Sequence, residues 1–488
     1  MAGNIVYKDI APGAASDSSY AATGASSYSD LDLSNPGSGD ALLTLEPNRW
    51  VLNGKYRARG TSETVHLWST AMSDANGDFS TPPTLTVTFG NNYSSLGVTL
   101  IFDPATGEHA TDVNVKWYQG STLKADEDFT PDSAEYFCEQ TVTAFNKIVI
   151  TFNKTSLPKR RLRLDQILIG LVRYFNADEI VSASAINEMD LLSAELPASQ
   201  MDWTLNSKRG VDYMFQLKQP LELRDDNNVI GVYYISGSRR ISTTMYQVTA
   251  QDAIGVLGEQ TFAGGAYLSG ISAKTLFTTI IDGAFDIDFG TVTDATLKGL
   301  LVRQSKREAI QQVLFAWGAC CRTDGDGTIR VFVPPTTPEV ITRGETYVGV
   351  SVETGPIVTQ VNVAGHTYAT NTNGNIEING TRYRDTQTIY TVTNPNVTAN
   401  DIQNVIDVTN ATLVSTSNGQ AVAQRVYDYY LRRNKHTSKI LYSGQALGDC
   451  LTQPTPWETT QDGNVVSIGI TLSGIVAADI TSLEVTPS

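Results

Sequence analysis

The chain has 488 residues, which is too long for one hydrophobic core, so about two to four domains are expected from length alone. Hydrophobic residues make up 41% and charged residues 18%, proportions that are typical of folded protein and far from those of disordered chains. With 35 Lys and Arg against 51 Asp and Glu, the formal net charge of −16 argues against binding of nucleic-acid backbones over most of the surface.

Two features bear on the cellular compartment. Residues 1–11 show no basic start followed by an apolar run, and no stretch approaches the roughly 18 to 20 apolar residues of a membrane span, so we expect a soluble chain that is not exported by the ordinary route. The four cysteines are Cys138, Cys320, Cys321 and Cys450, without a C-x-x-C pair. Neighbouring strand residues point to opposite faces, so Cys320 and Cys321 suit neither a disulfide nor a shared metal, and free thiols in a reducing compartment are expected.

The first 175 residues divide into two parts. Residues 1–40 are rich in Ala, Ser, Gly and Asp with few apolar anchors, which predicts a flexible or partner-ordered arm, with order starting near Leu42. Residues 41–175 alternate strand-forming runs with Gly, Pro and Asp turns and show no helical periodicity, which predicts a jelly-roll-like β-sandwich. The predicted strands are 41–45, 84–89, 98–102, 113–117, 142–152 and 163–170. The last run, RLRLDQILIG, resembles the closing strand of galactose-binding-like jelly rolls, which bind glycans or brace neighbouring domains.

The character of the chain changes at Ala250. Residues 176–249 are again mostly strands, whereas helical signals appear at 252–257 and at 272–281, where Ser272 is placed as the N-cap and Gly283 as the C-cap. Residues 250–335 are therefore predicted to be α+β.

The segment Ser305 to Pro335 carries the clearest local signals. Ser305 and Glu308 form a capping-box pattern, and Ile310, Val313, Leu314 and Trp317 then fall on one helical face. The turn sequence Asp324 to Gly327 separates two predicted strands, and the prolines at 334 and 335 end the second.

Strands return after Pro335, at 357–368 and 388–392, and one helix is predicted near 420–434. Its apolar face uses Val422, Val426, Tyr429 and Tyr430. The residues Arg432, Arg433, Lys435 and His436 crowd its C-terminal end, where the helix dipole favours positive charge. A final β segment is expected to turn at Asp462-Gly463.

The residues show no pattern of catalysis. The histidines, His66, His109, His366 and His436, lie in four segments without metal-ligand spacing, so no catalytic residue, metal or cofactor is predicted. A calcium loop counted from Asp324 finds Pro335 where an acidic ligand is needed. Glu188 and Asp190 lie on one side of a strand, as a glycosidase pair would, but nothing around them supports that chemistry.

Two surface hypotheses remain. The basic run Lys159, Arg160, Arg161 and Arg163 is expected to be a solvated or subunit-facing loop rather than a nucleic-acid contact. Trp68, Asn91, Asn92 and Tyr93 are candidate carbohydrate contacts, since sugars stack on aromatic rings and bond to amides, although core packing and turn formation explain them as well.

Six segments in order resemble the baseplate hub and tail-tip proteins of tailed bacteriophages. They are INEMDLLSAELPASQMDWTLNS, GVYYISGSRRISTTMYQVTAQDAIGVL, SKREAIQQVLFAWGACCRTDGDGTIRVFVPP, AQRVYDYYLRRN, LGDCLTQPTPW and GITLSGIVAAD. The resemblance covers about residues 177–479, so the first 175 residues are an addition to the plain family pattern.

The resemblance implies a non-enzymatic homotrimer with two tail-tube-like β-barrels per subunit, mainly β with an α+β insertion. The first hub barrel would be 176–249, completed by part of 340–400, and the second would be 336–488. Implied partners are a tail tube protein or distal tail ring above, a spike or tail fibre protein below, and other baseplate proteins, in a virion assembled in the host bacterial cytoplasm. Phage DNA would pass through without specific binding, and the acidic composition suits such a channel.

Two alternatives stay open. A distal-tail or receptor-binding module would bind host surface glycans through the N-terminal β-sandwich. A peptidoglycan-degrading tail enzyme is the third possibility, and zymography is expected to show no clearing.

Overall fold

The computed structural model describes residues 3–10, 14, 17–27, 46, 50–51, 57–58, 67–103, 106–206, 215–225, 228–347, 349–398, 402–457, 459–473 and 475–485. These residues form two compact units, Tyr7–Arg173 and Met1–Val6 with Tyr174–Ser488. In the described part of the chain, every helix is too short or too polar to span a membrane. The prediction of a mainly β chain with an α+β insertion is confirmed.

The smaller unit is built from strands, two of which cross the unit boundary. They are β1 (Gly3–Ile10), β2 (Ser18–Thr23), β3 (Ala25–Ser27), β4 (Trp50–Val51), β5 (Arg57–Ala58), β6 (Leu67–Ser69), β7 (Thr84–Phe102), β8 (Ala110–Gln119), β9 (Thr122–Phe129), β10 (Glu135–Thr155), β11 (Arg163–Leu168) and β12 (Gly170–Phe175). Eight of them form one sheet in the order β3-β6-β11-β7-β10-β8-β9, with β2 added to β7.

Two long strands organise this sheet. β7 and β10 pair antiparallel along most of their lengths, with register shifts between Glu139 and Lys147. Such irregularities bend strands, and side chains from both halves of β7, such as Val87 and Phe102, enter one buried core. β10 was predicted as the shorter strand 142–152, and β7 was predicted as two strands, 84–89 and 98–102, because Gly90-Asn91-Asn92 reads as a turn. The structure keeps this segment extended.

The start of the chain differs from expectation. Residues 3–10 and 18–27 form strands, whereas a flexible arm was predicted up to residue 40. Ile5, Val6 and Tyr7 are fully buried, so a short apolar run is enough to anchor a segment whose average composition is polar. The predicted strand at 41–45 lies outside the described residues.

The larger unit contains all four α-helices that the described residues form. Its elements up to residue 332 are β13 (Ile180–Glu188), β14 (Gln200–Asn206), β15 (Pro220–Asp225), β16 (Asn228–Arg240), β17 (Met245–Gln251), α1 (Ala253–Gly258), β18 (Thr261–Phe262), β19 (Gly265–Ser272), α2 (Ala273–Ile281), β20 (Ile287–Asp288), β21 (Thr296–Leu301), β22 (Gln304–Ser305), α3 (Lys306–Trp317), β23 (Cys320–Thr323) and β24 (Ile329–Phe332).

The remaining elements follow after the prolines at 334 and 335. They are β25 (Glu339–Val340), a short 3-10 helix (Arg343–Glu345), β26 (Ser351–Thr354), β27 (Gln360–Thr370), β28 (Ile376–Ile378), β29 (Thr381–Thr393), β30 (Val405–Val408), α4 (Gly419–Leu431), β31 (Asn434–Leu441), β32 (Cys450–Pro454), β33 (Thr460–Ser473) and β34 (Ile475–Glu484).

The main sheet of the larger unit forks at β33. Its order is β12-β1-β15-β16-β17-β14-β13-β33-β34-β31-β26, and β32 pairs with both β33 and β25. One edge of β33 is occupied by β34 from Gly463 to Ser473. The other edge is shared, since residues 460–464 pair with β32 and residues 467–471 pair with β13. The pairing with β34 shifts register between Val465 and Ser467, so the bulge lies at the fork.

The first barrel was predicted as residues 176–249 completed by part of 340–400, and from that segment β26 lies in the main sheet with β13 to β17 whereas β27 to β30 do not. β27 to β30 form a separate four-stranded sheet in the order β28-β29-β27-β30. The strands at 180–251 join β33 instead. Such long-range pairing leaves no local mark in a sequence, because either set of neighbours would satisfy the same alternating pattern.

The α+β segment shares one apolar core with α4 and β27. Leu276 and Phe277 of α2, Val313 of α3 and Val422 of α4 belong to one buried cluster with Val361 of β27. The capping box of α3 is present, because Ser305 Oγ accepts from Glu308 N at 3.2 Å while a Glu308 oxygen accepts from Ser305 N at 2.9 Å.

Ser272 caps α2 as predicted, but the helix ends at Asp282, which takes the left-handed conformation with φ 57°, and not at Gly283. The Asp324 to Gly327 turn is confirmed between β23 and β24, with Gly327 N donating to Asp324 O at 2.9 Å.

The turn predicted at Asp462-Gly463 is wrong. Both residues lie inside β33 and pair with β32. The chain reverses at residues 455–459, where Thr455 N donates to Thr459 O at 2.9 Å. A Cβ on Gly463 would come within 2.7 Å of Ser482 Oγ, so this glycine permits close approach of β34.

Candidate assembly surfaces

The carbohydrate contacts predicted from sequence are not available as a set. Trp68 is 5% exposed, and the Arg163 guanidinium lies 4.5 Å from its ring centre. Asp17 accepts hydrogen bonds from Asn91 N at 2.7 Å and from the Tyr93 hydroxyl at 3.0 Å. These bonds hold the pKa of Asp17 below its usual range. Asn91 and Tyr93 therefore hold the β2–β7 region together, and of the four only Asn91 and Asn92 are exposed residues.

The predicted basic loop is also an internal feature. Arg163 lies between Glu46 and Glu108, with its Nη1 2.9 Å from Glu108 Oε2, and Arg160 Nε lies 2.9 Å from Glu108 Oε1. Arg161 Nη1 donates to Ser69 O at 2.7 Å. Three of the four cations thus serve contacts inside the smaller unit, which corrects the expectation of a solvated or subunit-facing loop. The signal that sequence reading missed is Glu46, more than 110 residues away in the chain.

The histidines remain apart in the structure. His366 Nδ1 lies 2.8 Å from Asp385 Oδ2 in the four-stranded sheet, and His109 Nδ1 lies 2.9 Å from Gly107 O. His436 is buried in β31, and this burial lowers its pKa. His66 lies outside the described residues. Among the described residues, no three potential ligands come close enough to hold a metal ion.

The four cysteines are free and buried. Burial raises the pKa of Cys138 and Cys320 to about 12 and also raises the pKa of Cys321 and Cys450. A raised pKa keeps these thiols protonated, and only the thiolate acts as a nucleophile or metal ligand. The four cysteines therefore pack as small apolar groups.

A polar cavity of about 520 Å³ lies beside the β23–β24 turn. Arg322 on its wall binds Asp324 at 2.8 Å and Asp449 at 3.0 Å, and Arg330 Nε lies 2.6 Å from the second Asp324 oxygen. The cations and carboxylates in this network neutralise one another and connect the α+β segment to the chain before β32. This arrangement braces two segments of the larger unit.

Exposed strand edges and apolar side chains are the features of the larger unit that suit contact with other subunits. β26 ends the path of the main sheet, so in the described part of the chain one of its edges has no neighbouring strand. Trp457 is 69% exposed at the β32–β33 turn, and Val340 is 64% exposed on β25, which pairs with β32. Large apolar side chains that stay exposed, above all an aromatic one, are typical of an interaction surface.

The smaller unit presents a different edge. β9 closes its sheet and carries Lys124, Asp126, Glu127 and Asp128. Lys116 of β8 lies 3.0 Å from Asp126, and Asn114 donates to Asp126 at 2.8 Å. Charged side chains on an edge strand discourage unspecific strand pairing. The Trp457 region is therefore the better candidate for a specific contact.

No family model matches the sequence, and no curated protein matches it at a significant level. Solved structures with a similar chain path include three tail proteins. The 43 kDa tail protein of prophage MuSo2 from Shewanella oneidensis is 8% identical, with 64% of this chain and 96% of that chain covered and a TM-score of 0.46. The tail protein from Neisseria meningitidis MC58 is 10% identical, with 64% and 94% covered and a TM-score of 0.48. The prophage tail protein gp18 from Listeria monocytogenes EGD-e is 11% identical, with 65% and 92% covered and a TM-score of 0.43.

Proposed function

We propose that the chain is a structural, non-enzymatic subunit of a bacteriophage tail, a homotrimeric hub that joins the sixfold tail tube to a threefold central spike. The hub forms part of the channel through which DNA leaves the particle. It resides in the virion after assembly in the host bacterial cytoplasm, in contact with a tube or distal-tail protein above and a spike or fibre protein below.

The fork at β33 is the observation that carries this proposal. One strand binds β13 through residues 467–471 and β32 through residues 460–464, so two sets of strands are held in a fixed relation. A subunit that adapts one symmetry to another needs two such rigid strand sets, and the segments that resemble tail hubs supply both. The α+β core and the Arg322 network then brace this frame from within.

The mass of the native particle formed by the purified full chain tests the proposal. A trimer is expected at micromolar concentration. A stable hexamer would assign the chain to the distal-tail ring, and a monomer at all concentrations would contradict the hub role. Zymography on peptidoglycan is expected to show no clearing, and clearing would contradict a purely structural role.

The exposed Trp457 provides a sharper test of the same proposal. Because buried tryptophans carry a large share of interface energy, Trp457→Ala is expected to weaken trimer association by about 2 kcal/mol or more. The measurement is sedimentation over a range of concentrations, with circular dichroism showing an unchanged fold. Leu157→Ala, which truncates another exposed apolar side chain, is the control and should leave association unchanged. Equal effects of the two variants on association would show that Trp457 is not part of the interface.

A further inference from the structure

A cavity of about 330 Å³ lies at the C-terminal end of α4. We call it the α4 pocket; its walls include Tyr429, Tyr430, Arg432, Arg433, Lys435 and Glu353. Three of these six residues are cationic and one is anionic, in a chain whose net charge is −16. The pocket is thus a local concentration of positive charge on an acidic protein.

None of the three cations has a carboxylate partner for its side chain among the described residues. In the described part of the chain, neither Arg432 nor Lys435 forms an ion pair within 4.0 Å. Glu353 lies opposite Lys435 across the β26–β31 pairing, yet the two side chains do not meet within that distance. The charge of the pocket is therefore available to a ligand.

The third cation fixes the walls. Arg433 Nε donates to Gly355 O at 3.0 Å, and Gly355 N donates to Arg433 O at 2.7 Å. Arg433 N donates to the buried carboxylate of Glu484 at 2.6 Å. Asn404, also on the wall, donates to Ile357 O at 2.9 Å. A pocket with walls held in this way loses little freedom when a ligand binds.

The surroundings indicate an extended segment of protein. β26, whose Glu353 lines the pocket, offers the open edge of the main sheet, to which a strand can add. Two residues that neighbour the pocket walls in the chain are apolar and exposed. Ile357 is 52% exposed, and Ile402, two residues before Asn404, is 92% exposed. The main-chain N–H and C=O groups along this edge can pair with a peptide strand and not with a nucleic acid, so a segment of protein is favoured.

We propose that the α4 pocket binds the carboxylates of an acidic, extended segment of another protein chain, with Arg432 and Lys435 as the charge partners and the tyrosine pair as an apolar wall. The Tyr429 and Tyr430 rings are 5.2 Å apart in an edge-to-face arrangement. This site does not require the trimer and goes beyond the hub role, because it specifies the chemistry of a docking partner.

The test uses the full chain and a fluorescein-labelled peptide of about ten residues that alternates Asp or Glu with Val. Fluorescence anisotropy is expected to show binding that weakens as salt is added. In the double variant Arg432→Gln with Lys435→Gln, affinity should fall by about tenfold or more, since each charge-assisted contact is lost. The matched control is Lys124→Gln with Lys298→Gln, which removes two charges at exposed positions outside the pocket walls and should bind as the parent does.

Three results would overturn the proposal. The first is equal affinity in the pocket variant and the control variant. The second is equal binding of a matched peptide that carries Asn and Gln in place of Asp and Glu. The third is tighter binding of a single-stranded oligonucleotide that is lost in the same pocket variant, which would assign the site to nucleic acid.

Discussion

The two basic clusters of this chain use their charge in opposite ways. In the smaller unit, the loop cluster of Arg160, Arg161 and Arg163 is satisfied by Glu46, Glu108 and backbone carbonyls. In the larger unit, the helix-end cluster of Arg432, Arg433 and Lys435 has one member committed to Gly355 and two members open. The difference separates cations that hold a fold together from cations that are free to hold a partner.

Burial determines how strongly each charged side chain depends on a partner of opposite charge. The side chains of Arg163 and Glu46 are 1% and 0% exposed, so each needs the other to remain buried and charged. Arg432 is half-buried and Lys435 exposed, where water solvates the charge without a partner. Removal of a cation should therefore have different consequences at the two places.

The largest effect is expected for Arg163→Met, which leaves Glu46 and Glu108 without their shared cation. The free energy of unfolding of the smaller unit should fall by about 3 to 5 kcal/mol. Urea denaturation measures the loss, and hydrogen exchange of β6 and β11 peptides assigns it to the smaller unit. Lys159→Asn is the control, because Lys159 is exposed and asparagine tolerates its positive φ of 55°. A loss no greater than that of the control would break the distinction between the clusters.

Asp252 is a buried carboxylate without an ion-pair partner among the described residues, and it sharpens the comparison. Burial raises the pKa of Asp252 to about 6, against hydrogen bonds from Gly255 N and Thr323 that lower it. The folded state therefore binds this proton more tightly than the unfolded chain does. The stabilising contribution is complete below the unfolded pKa of 3.8 and is lost as pH rises through about 6, a change of up to about 3 kcal/mol.

Asp252→Asn keeps the helix cap of α1 and removes the titration. Protection of α1 and β23 amides, corrected for intrinsic exchange, should fall between pH 4 and pH 7 in the parent and stay level in the variant. A parallel fall in both chains would show that another group is responsible. An opposite trend in the parent would contradict the sign of the shift.

The smallest effect is expected at the helix-end cluster. Arg432→Gln with Lys435→Gln should change the free energy of unfolding of the larger unit by less than about 0.5 kcal/mol, because neither side chain has a carboxylate to abandon. Urea denaturation at two salt concentrations measures this change in the free energy of unfolding. A loss above about 2 kcal/mol would mean that these cations stabilise the fold, and the contrast with Arg163 would then disappear.

Local features of the fold could be predicted from the sequence. The capping box at Ser305 and Glu308, the N-cap at Ser272 and the Asp324 to Gly327 turn all depend on residues within a few positions of one another. The prediction of a turn at Asp462-Gly463 was wrong. Gly463 is needed because Ser482, distant in the chain, approaches it closely in the neighbouring strand.

Features that depend on distant residues could not be predicted. The basic run at 159–163 gives no sign that Glu46 will neutralise it, and the run at 432–436 gives no sign that it will be left open. Trp68 was a candidate sugar contact because sugars stack on aromatic rings, whereas in the structure the Arg163 guanidinium lies over its ring. Charge and aromatic residues indicate an interaction, and only the fold determines whether the partner lies in the same chain.

The strand shared at the fork has a consequence for synthesis. β13 pairs with β33 across roughly 280 residues of chain, so the main sheet stays incomplete until β33 has been synthesised. Nascent chains therefore leave one edge of β13 without its partner strand until β33 emerges, and a product truncated before β33 lacks the fork. The order of strands thus makes the fork a late step of folding, which a chain can complete only when it contains both distant strands.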